Sequence, residues 1–414
     1  MFLTIPDTVL ISAVYDSGAV AGPLYGRWHD DGDVAQVWGL EESAVVYLGR
    51  WTIGDQPVAL GQDSPLVDDE VLVRIDATAD LRISARQYRE QAWHAIPADI
   101  IRPYADYAAR LRGLFEVEQL ADRQVAVIGL GTGGGIVATQ LARCGVGRMR
   151  LVDFDRLAVH NIARHVCGLG DIGRYKTRAV ADLLRASSPI VEVETFEADI
   201  LDDPALLDSI VAGCDLVVAA TDSERSKLAI NRACWIAGVP AVYGAAYNRA
   251  FGGDVFRAIP PGDACYECFH AAVSELFETA PLAATDFTPA YADPSRLSDL
   301  VAEPGLGMDA GVIALLLARV ALTTLLRGRA TSLPSLPANW LLFGNRAEWI
   351  FKQPLESLFV DIPRRPDCPV CNYEAYVQQL AMTEEEAADT ARRIVAQAPA
   401  LAARPRPDTA PTHE

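Results

Sequence analysis

The sequence predicts an α/β fold, a Rossmann-like doubly wound and mainly parallel sheet preceded by a β-rich N-terminal domain. Three observations predict it. From residue 124 onward, apolar runs of strand length alternate with helical segments, the pattern of a parallel sheet covered on both faces. The first of these runs, "QVAVI", ends in "GLGTGGG", a glycine turn able to lead a strand into a helix. Residues 1–98 differ, with short runs of β-branched residues parted by turn signals such as "DDGD" and "LGQDSP".

In the N-terminal domain, "VLISAV", "AVVYLG" and "EVLVRIDA" read as strands. A second domain, 99–382, opens on "IIRPYADYAARLRGLFEVEQLAD", whose periodicity predicts a helix over 100–122. Strand "QVAVIG" and helix "GIVATQLARCG" follow, then strand "RMRLVDFD" and helix "KTRAVADLLRAS". Strands "VEVETFEA" and "CDLVVAAT", helix "SERSKLAINRACWIAG" and strand "PAVYGAA" complete the alternation. Residues 271–304 are polar and proline-interrupted, which suits a surface crossover segment. "GVIALLLARVALTTLL" (311–326) is short for a bilayer span and is broken by Arg319, so it reads as a buried helix. "NWLLFG", "EWIFKQ" and "ESLFVDI" read as strands, and 383–414 as a short helix with a disordered tail.

At 414 residues the chain has room for two or three domains, and half of it is apolar, enough for a substantial core. A net charge of −19 argues against nucleic acid and against an anionic membrane surface. The N-terminus lacks a basic segment and a cleavage site, so no signal peptide and a cytoplasmic location are expected. Four of the eight cysteines form two pairs, "CYEC" (Cys265, Cys268) and "CPVC" (Cys368, Cys371). Two such knuckles suit a closed tetrahedral structural zinc, the alternative being four reduced thiols without metal.

Gly129, Gly131 and Gly134 fit G-x-G-x-x-G, which lets phosphate approach the amides at a helix N-terminus. Asp153 ends the next strand, where a carboxylate commonly grips a ribose hydroxyl. Downstream lie Asp155, Asn161, Arg164 and Lys176. Hydride transfer has no need of that cationic pair, whereas a triphosphate cut between its α and β phosphates does. Asp222, in "ATDSERSK", ends a later strand on the same sheet edge and can hold magnesium. Blander readings stand beside these. Asp155 and Asn161 can shape a turn, Arg164 and Lys176 can be surface charges, and Asp222 can cap the following helix.

With these residues in order, the sequence resembles the ThiF/MoeB-type adenylyltransferases, the superfamily that includes the ubiquitin-activating enzymes. The matching motifs are "GLGTGG", "DFD", "NIAR", "YK", "ATD", both cysteine pairs and the late apolar helix, across roughly Ala121 to Tyr373. The resemblance implies that Gly129, Gly131 and Gly134 line the ATP phosphates, Asp153 holds the ribose and Asp155 sits near it. It implies that Asn161, Arg164 and Lys176 contact the phosphates or the adenylate transition state, with magnesium on Asp222. The reaction implied is attack of a small ubiquitin-like or sulfur-carrier protein's C-terminal carboxylate on the α-phosphate. The segment "AVYGAAYNRAFGGDVFRAIPPGDACYEC" is similar to that of bacterial members tied to ubiquitin-like conjugation, which inclines the reading toward a ubiquitin-like substrate.

The chain also departs from that pattern. Many relatives pass the acyl group to a cysteine beyond the first knuckle, and residues 269–367 contain none. Cys144, Cys214 and Cys234 suit packing, leaving Cys167 as the candidate reactive thiol, and the expectation is that the chain stops at the adenylate. A thiol-bearing or sulfur-donor protein would act next. His165 stands where relatives often carry Gln and receives no role. Relatives borrow an arginine across a homodimer, for which Arg102, Arg110 and Arg112 are candidates. His29 in "RWHDDGD" suits a polar turn better than a metal. The competing readings are an adenylation-fold binding module that presents a leader peptide or carrier protein, and a dinucleotide-dependent oxidoreductase.

Overall fold

Alternating burial along the first strands leaves one face of each inside, and that alternation builds a sheet in the computed structural model, which describes residues 1–40, 46–54, 68–77, 81–278 and 305–378. The chain divides into two compact units, Met1–Arg112 and Gly113–Glu414.

The first unit is β-rich. Its strands are β1 (Phe2–Pro6), β2 (Ala21–His29), β3 (Val34–Gly39), β4 (Val46–Ile53), β5 (Val71–Asp76), β6 (Arg82–Arg89), β7 (Ala92–Ile96) and β8 (Ala98–Ile101). They form one sheet in the order β7-β6-β5-β4-β2-β3-β1-β8. Leu3, Ile5, Leu24, Val37, Trp51 and Val73 make its core. "VLISAV" is not the expected strand: Asp7–Ile11 is a short helix, α1, that continues as a π-helical turn, Ser12–Asp16. Val9, Leu10 and Ala13 recur at helical spacing and are buried together in that core, so apolarity alone misled the strand reading. Residues 44 and 45 of "AVVYLG" lie outside the described residues, and the rest forms the start of β4.

The helix expected over 100–122 is also broken up. Ile100 and Ile101 pair in β8, α2 covers Pro103–Tyr107, a 3-10 turn covers Ala108–Arg110, and α3 is Glu118–Ala121. Pro103 opens α2 at its first position, and Gly113, at φ +88°, turns the chain out of helical geometry.

The second unit alternates as expected: β9 (Gln124–Ile128), α4 (Thr132–Arg143), β10 (Arg148–Val152), α5 (Lys176–Ser187), β11 (Glu192–Phe196), α6 (Pro204–Val211), β12 (Leu216–Ala219), α7 (Glu224–Ala237) and β13 (Ala241–Ala246). Then come β14 (Gly252–Ala258), α8 (Tyr266–Glu278), α9 (Gly307–Leu325), β15 (Trp340–Gly344) and β16 (Glu356–Val360). The sheet order is β11-β10-β9-β12-β13-β14-β15-β16, parallel from β11 to β13 and antiparallel from there. Strands β9 and β12 are neighbours although α4, β10, α5, β11 and α6 separate them in the chain. Their C-terminal ends flank the crevice where an open α/β sheet places its ligand.

Helix α6 was missed in the sequence: Pro204 opens it, and Asp203 caps it by accepting from Leu206 N at 3.1 Å. "EWIFKQ" is a turn between β15 and β16 rather than a strand, with Trp349 at φ +58° and Phe351 buried. Residues 271–278 continue α8 instead of starting a surface segment, and 279–304 lie outside the described residues, as do residues 379–414. Helix α9 is long and apolar enough to cross a membrane, yet it packs on α4, β13 and β14 with Ile313, Leu317 and Ala321 inside. Leu317 fits because Gly244 beneath it has no side chain, a Cβ there coming within 2.5 Å of it.

Candidate active site

The glycine turn is shaped by two close backbone approaches. Gly129 has φ +87°, and a Cβ on it would lie 2.7 Å from Ala220 O at the end of β12. A Cβ on Gly134 would lie 1.8 Å from Gly129 O, so only glycine lets α4 start that close to the strand. Gly131 and Gly133 face open space. The turn therefore presents the first amides of α4 to open space, a setting suited to phosphate.

Asp153 fastens this turn to the neighbouring strand. Its Oδ2 accepts from Leu130 N at 2.7 Å and its Oδ1 from Asp155 N at 2.8 Å. Burial pushes its pKa up, against the opposing pull of the Leu130 amide and Lys176. Lys176 is the first residue of α5 and is buried. Its Nζ lies 2.6 Å from Asp155 Oδ2 and 3.9 Å from Asp153 Oδ1. A bridge between Arg156 and Tyr175, with the guanidinium 3.8 Å from the ring centroid, holds the returning chain so that Lys176 N reaches Asp155 O at 3.0 Å.

Asn161 shapes a turn, its Oδ1 accepting from Ala158 N at 2.9 Å. Arg164 follows, its N bonded to Asn161 O at 3.0 Å and its side chain lying beside Gly305 and Gly307 at the start of α9. Asp222 is exposed beyond β12 and is not the helix cap. Ser223 caps α7 by accepting from Ser226 N. The structure thus gathers the glycine turn, Asp153, Asp155 and Lys176 at the ends of β9 and β10, with Asp222 on the adjoining end of β12.

Two residues had been given no part. His165 Nε2 donates to Leu130 O at 2.8 Å while its Nδ1 accepts from Cys167 N at 3.1 Å, which fixes the neutral tautomer. Burial keeps its pKa low, so the ring acts as an uncharged clip on the glycine turn. Its only sequence signal was the position directly after Arg164. Thr221 Oγ1 is buried with no hydrogen-bond partner among the described residues, one position from Asp222, an orphaned group suited to a ligand in the crevice.

Cys167 is buried and its thiol is pushed up to about 11, by burial first and then by Asp171. It is a poor nucleophile near neutral pH. His29 bonds Gln36 across the β2–β3 hairpin at 3.1 Å. Among the described residues the only group of three or more metal-capable side chains is the cysteine quartet. Cys265, Cys268, Cys368 and Cys371 are all buried, with sulfurs 3.5 Å apart for Cys265–Cys368, 3.4 Å for Cys268–Cys371 and 3.9 Å for Cys265–Cys268. A tetrahedron with zinc–sulfur bonds of about 2.3 Å has edges of about 3.8 Å, so the quartet fits zinc.

Strand β14 carries a buried carboxylate, Asp254, whose Oδ2 accepts from Tyr247 Oη at 3.1 Å and Trp340 Nε1 at 3.3 Å. Burial pushes its pKa up to about 6 despite the pull of Lys227.

The sequence pattern of the ThiF family matches residues 105–348. The SAMP-activating enzyme E1 of Haloferax volcanii is 30% identical over 257 residues, 61% of this chain and 82% of that protein. The sulfur carrier protein adenylyltransferase of Thermus thermophilus is 32% identical over 270 residues, 64% of this chain and 87% of that one. The crystal structure of E. coli MccB with succinimide aligns at a TM-score of 0.47 and 20% identity, over 62% of this chain and 68% of that one.

Proposed function

The chain belongs to the ThiF family, and from that premise we propose that it adenylates the C-terminal carboxylate of a small ubiquitin-like or sulfur-carrier protein with magnesium ATP, releasing pyrophosphate. One observation carries the reading: an open glycine cradle flanked on one strand end by buried Lys176 with half-buried Asp153 and exposed Asp155, and on the other by Asp222.

In this reading the amides around Gly129, Gly131 and Gly134 take phosphate oxygens. Asp153 already accepts two backbone N–H groups, and a carboxylate has further lone pairs for ribose hydroxyls. Asp155 keeps Lys176 aimed at the cradle, Asn161 sets the turn that carries Arg164, and Asp222 would hold magnesium, which would neutralise phosphate charge. An oxygen of the incoming carboxylate forms a bond to the α-phosphorus as the bond to the β-phosphate oxygen breaks. Pyrophosphate leaves and no proton moves, so no protein base is required. Lys176 and Arg164 stabilise charge that develops on the phosphoryl oxygens, and the pocket aligns the two reactants.

The chain stops at the acyl-adenylate in this proposal, because Cys167 is buried and protonated. A thiol-bearing conjugating protein or a sulfur donor acts next. Zinc in the cysteine quartet is structural, a homodimer is the working assembly, and Arg102, Arg110 or Arg112 of a second copy completes the site.

The test is magnesium-dependent ATP–pyrophosphate exchange, with and without small glycine-terminated proteins. Exchange that appears only with one of them establishes the reaction and its substrate. No exchange with any, in protein that binds ATP and holds zinc, reduces the fold to a binding module.

A further inference from the structure

The first unit carries a half-open cavity of 310 Å³ lined by residues that include Trp28, Tyr47, Asp68, Asp69, Glu70 and Arg89. Register explains why these residues meet. Gly49 on β4 and Gln87 on β6 both lie opposite Val71 on β5. Tyr47, Glu70 and Arg89 therefore emerge together at one end of the three strands. The volume is many times the ~15 Å³ that one water needs.

Glu70 is the unusual member. Its side chain is 1% exposed. Oε1 accepts from Tyr47 Oη and from Arg50 Nε, both at 2.7 Å. Oε2 is equally buried and has no partner among the described residues. A carboxylate oxygen in that state is costly unless a donor arrives. Arg89 bonds Asp69 through its Nε at 2.7 Å and makes no hydrogen bond to Glu70 Oε2.

The rest of the lining says what kind of donor fits. Asp68, Asp69 and Glu70 outnumber the guanidinium of Arg89 in the lining and that of Arg50 on the Glu70 Oε1 side, which disfavours an anion. Trp28 and Tyr47 add aromatic surface, and a cation gains from an aromatic face as well as from carboxylates. We infer that this cavity binds a cationic N–H donor, the guanidinium or ammonium head of an arginine or lysine, with Glu70 Oε2 accepting one of its hydrogens. The inference concerns the first unit alone and does not rest on adenylation.

The experiment is calorimetric titration of the full-length protein with N-acetyl-arginine amide, N-acetyl-lysine amide, free arginine and N-acetyl-citrulline amide. Saturable binding of an arginine or lysine probe is expected, with the neutral citrulline isostere at least tenfold weaker. Binding of a blocked amide identifies a side chain within a polypeptide as the ligand, and binding of free arginine alone identifies the free amino acid. Glu70→Gln is expected to weaken binding at least tenfold. Should that variant melt, Trp28→Leu decides instead, since Trp28 lies outside the Glu70–Arg50 pair: weaker binding supports the site and unchanged binding overturns it. The inference is overturned equally by no saturation at millimolar probe, by citrulline binding as well as arginine, or by wild-type affinity in a folded Glu70→Gln protein.

Discussion

Lys176 Nζ sits 2.6 Å from Asp155 Oδ2, although Lys176 opens α5, where the helix dipole already places positive charge. Helix energetics alone favour an acid at that position, so the lysine is held there against a local preference. Lys176→Ala is expected to lower ATP–pyrophosphate exchange by about 10²-fold or more while ATP binding weakens less. Exchange within threefold of wild type would remove Lys176 from the proposed chemistry.

Asp222 and Ser223 are adjacent and separable. Asp222→Ala removes an exposed carboxylate that caps nothing, so it is expected to abolish exchange with an unchanged melting temperature. Ser223→Ala removes the cap of α7 and is expected to cost about 1 kcal/mol of stability. Comparing thermal melts and exchange rates of the two variants separates magnesium binding from capping.

The glycines of the turn make a second contrast. Gly131→Ala adds a methyl to open space at φ −68°, so the protein should fold normally and bind ATP more than tenfold weaker. Gly134→Ala places a Cβ against Gly129 O and should destabilise the protein by several kcal/mol, read as a lower urea midpoint. Tight ATP binding by Gly131→Ala would move the phosphates elsewhere.

Cys265→Ser should release zinc and lower the melting temperature, because the remaining three sulfurs cannot close the tetrahedron. Metal analysis of the purified variant checks this. Zinc content equal to wild type would count against the quartet as a metal site.

Asp254 gives a pH signature. Burial raises its folded pKa to about 6 from an ordinary 3.8, so between these values the folded state binds more protons than the unfolded one. Stability from this group therefore falls as pH rises from about 4 to about 6 and is level above, by about 3 kcal/mol in all. In Asp254→Asn, where Oδ1 can still accept from Tyr247 and Trp340, that slope should vanish. Urea midpoints at pH 4.5 and 7 measure it, and an equal slope in both proteins would place the titration elsewhere.

Much of the second unit was legible because each strand is a compact apolar run and each turn carries its own chemistry. "QVAVI" before "GLGTGGG" marks β9 and the start of α4 without any tertiary knowledge. "VLISAV" and "EWIFKQ" failed because apolar residues in short runs serve a helix, a strand or a packed turn equally well. Only the surroundings choose. Within the site, Gly129 and Gly134 were readable since their constraints are local. That Asp153 binds the Leu130 amide, that His165 clips the same turn, and that Ser223 rather than Asp222 caps α7 depend on which chain segments lie side by side. The Glu70 cavity was invisible for the same reason, its members being spread from residue 28 to residue 89.

The four sulfurs come from pairs 103 residues apart in the chain, with α9, β15 and β16 between them. A ribosome therefore delivers half of the quartet long before the rest, and no closed site exists until Cys371 is made. Strands β9 to β13 with their helices can assemble in that interval, since none of them supplies a ligand. Zinc capture by the proposed site would then be a late fastening step. A cell short of zinc would accumulate chains whose nucleotide crevice is formed while the last three antiparallel strands are poorly secured.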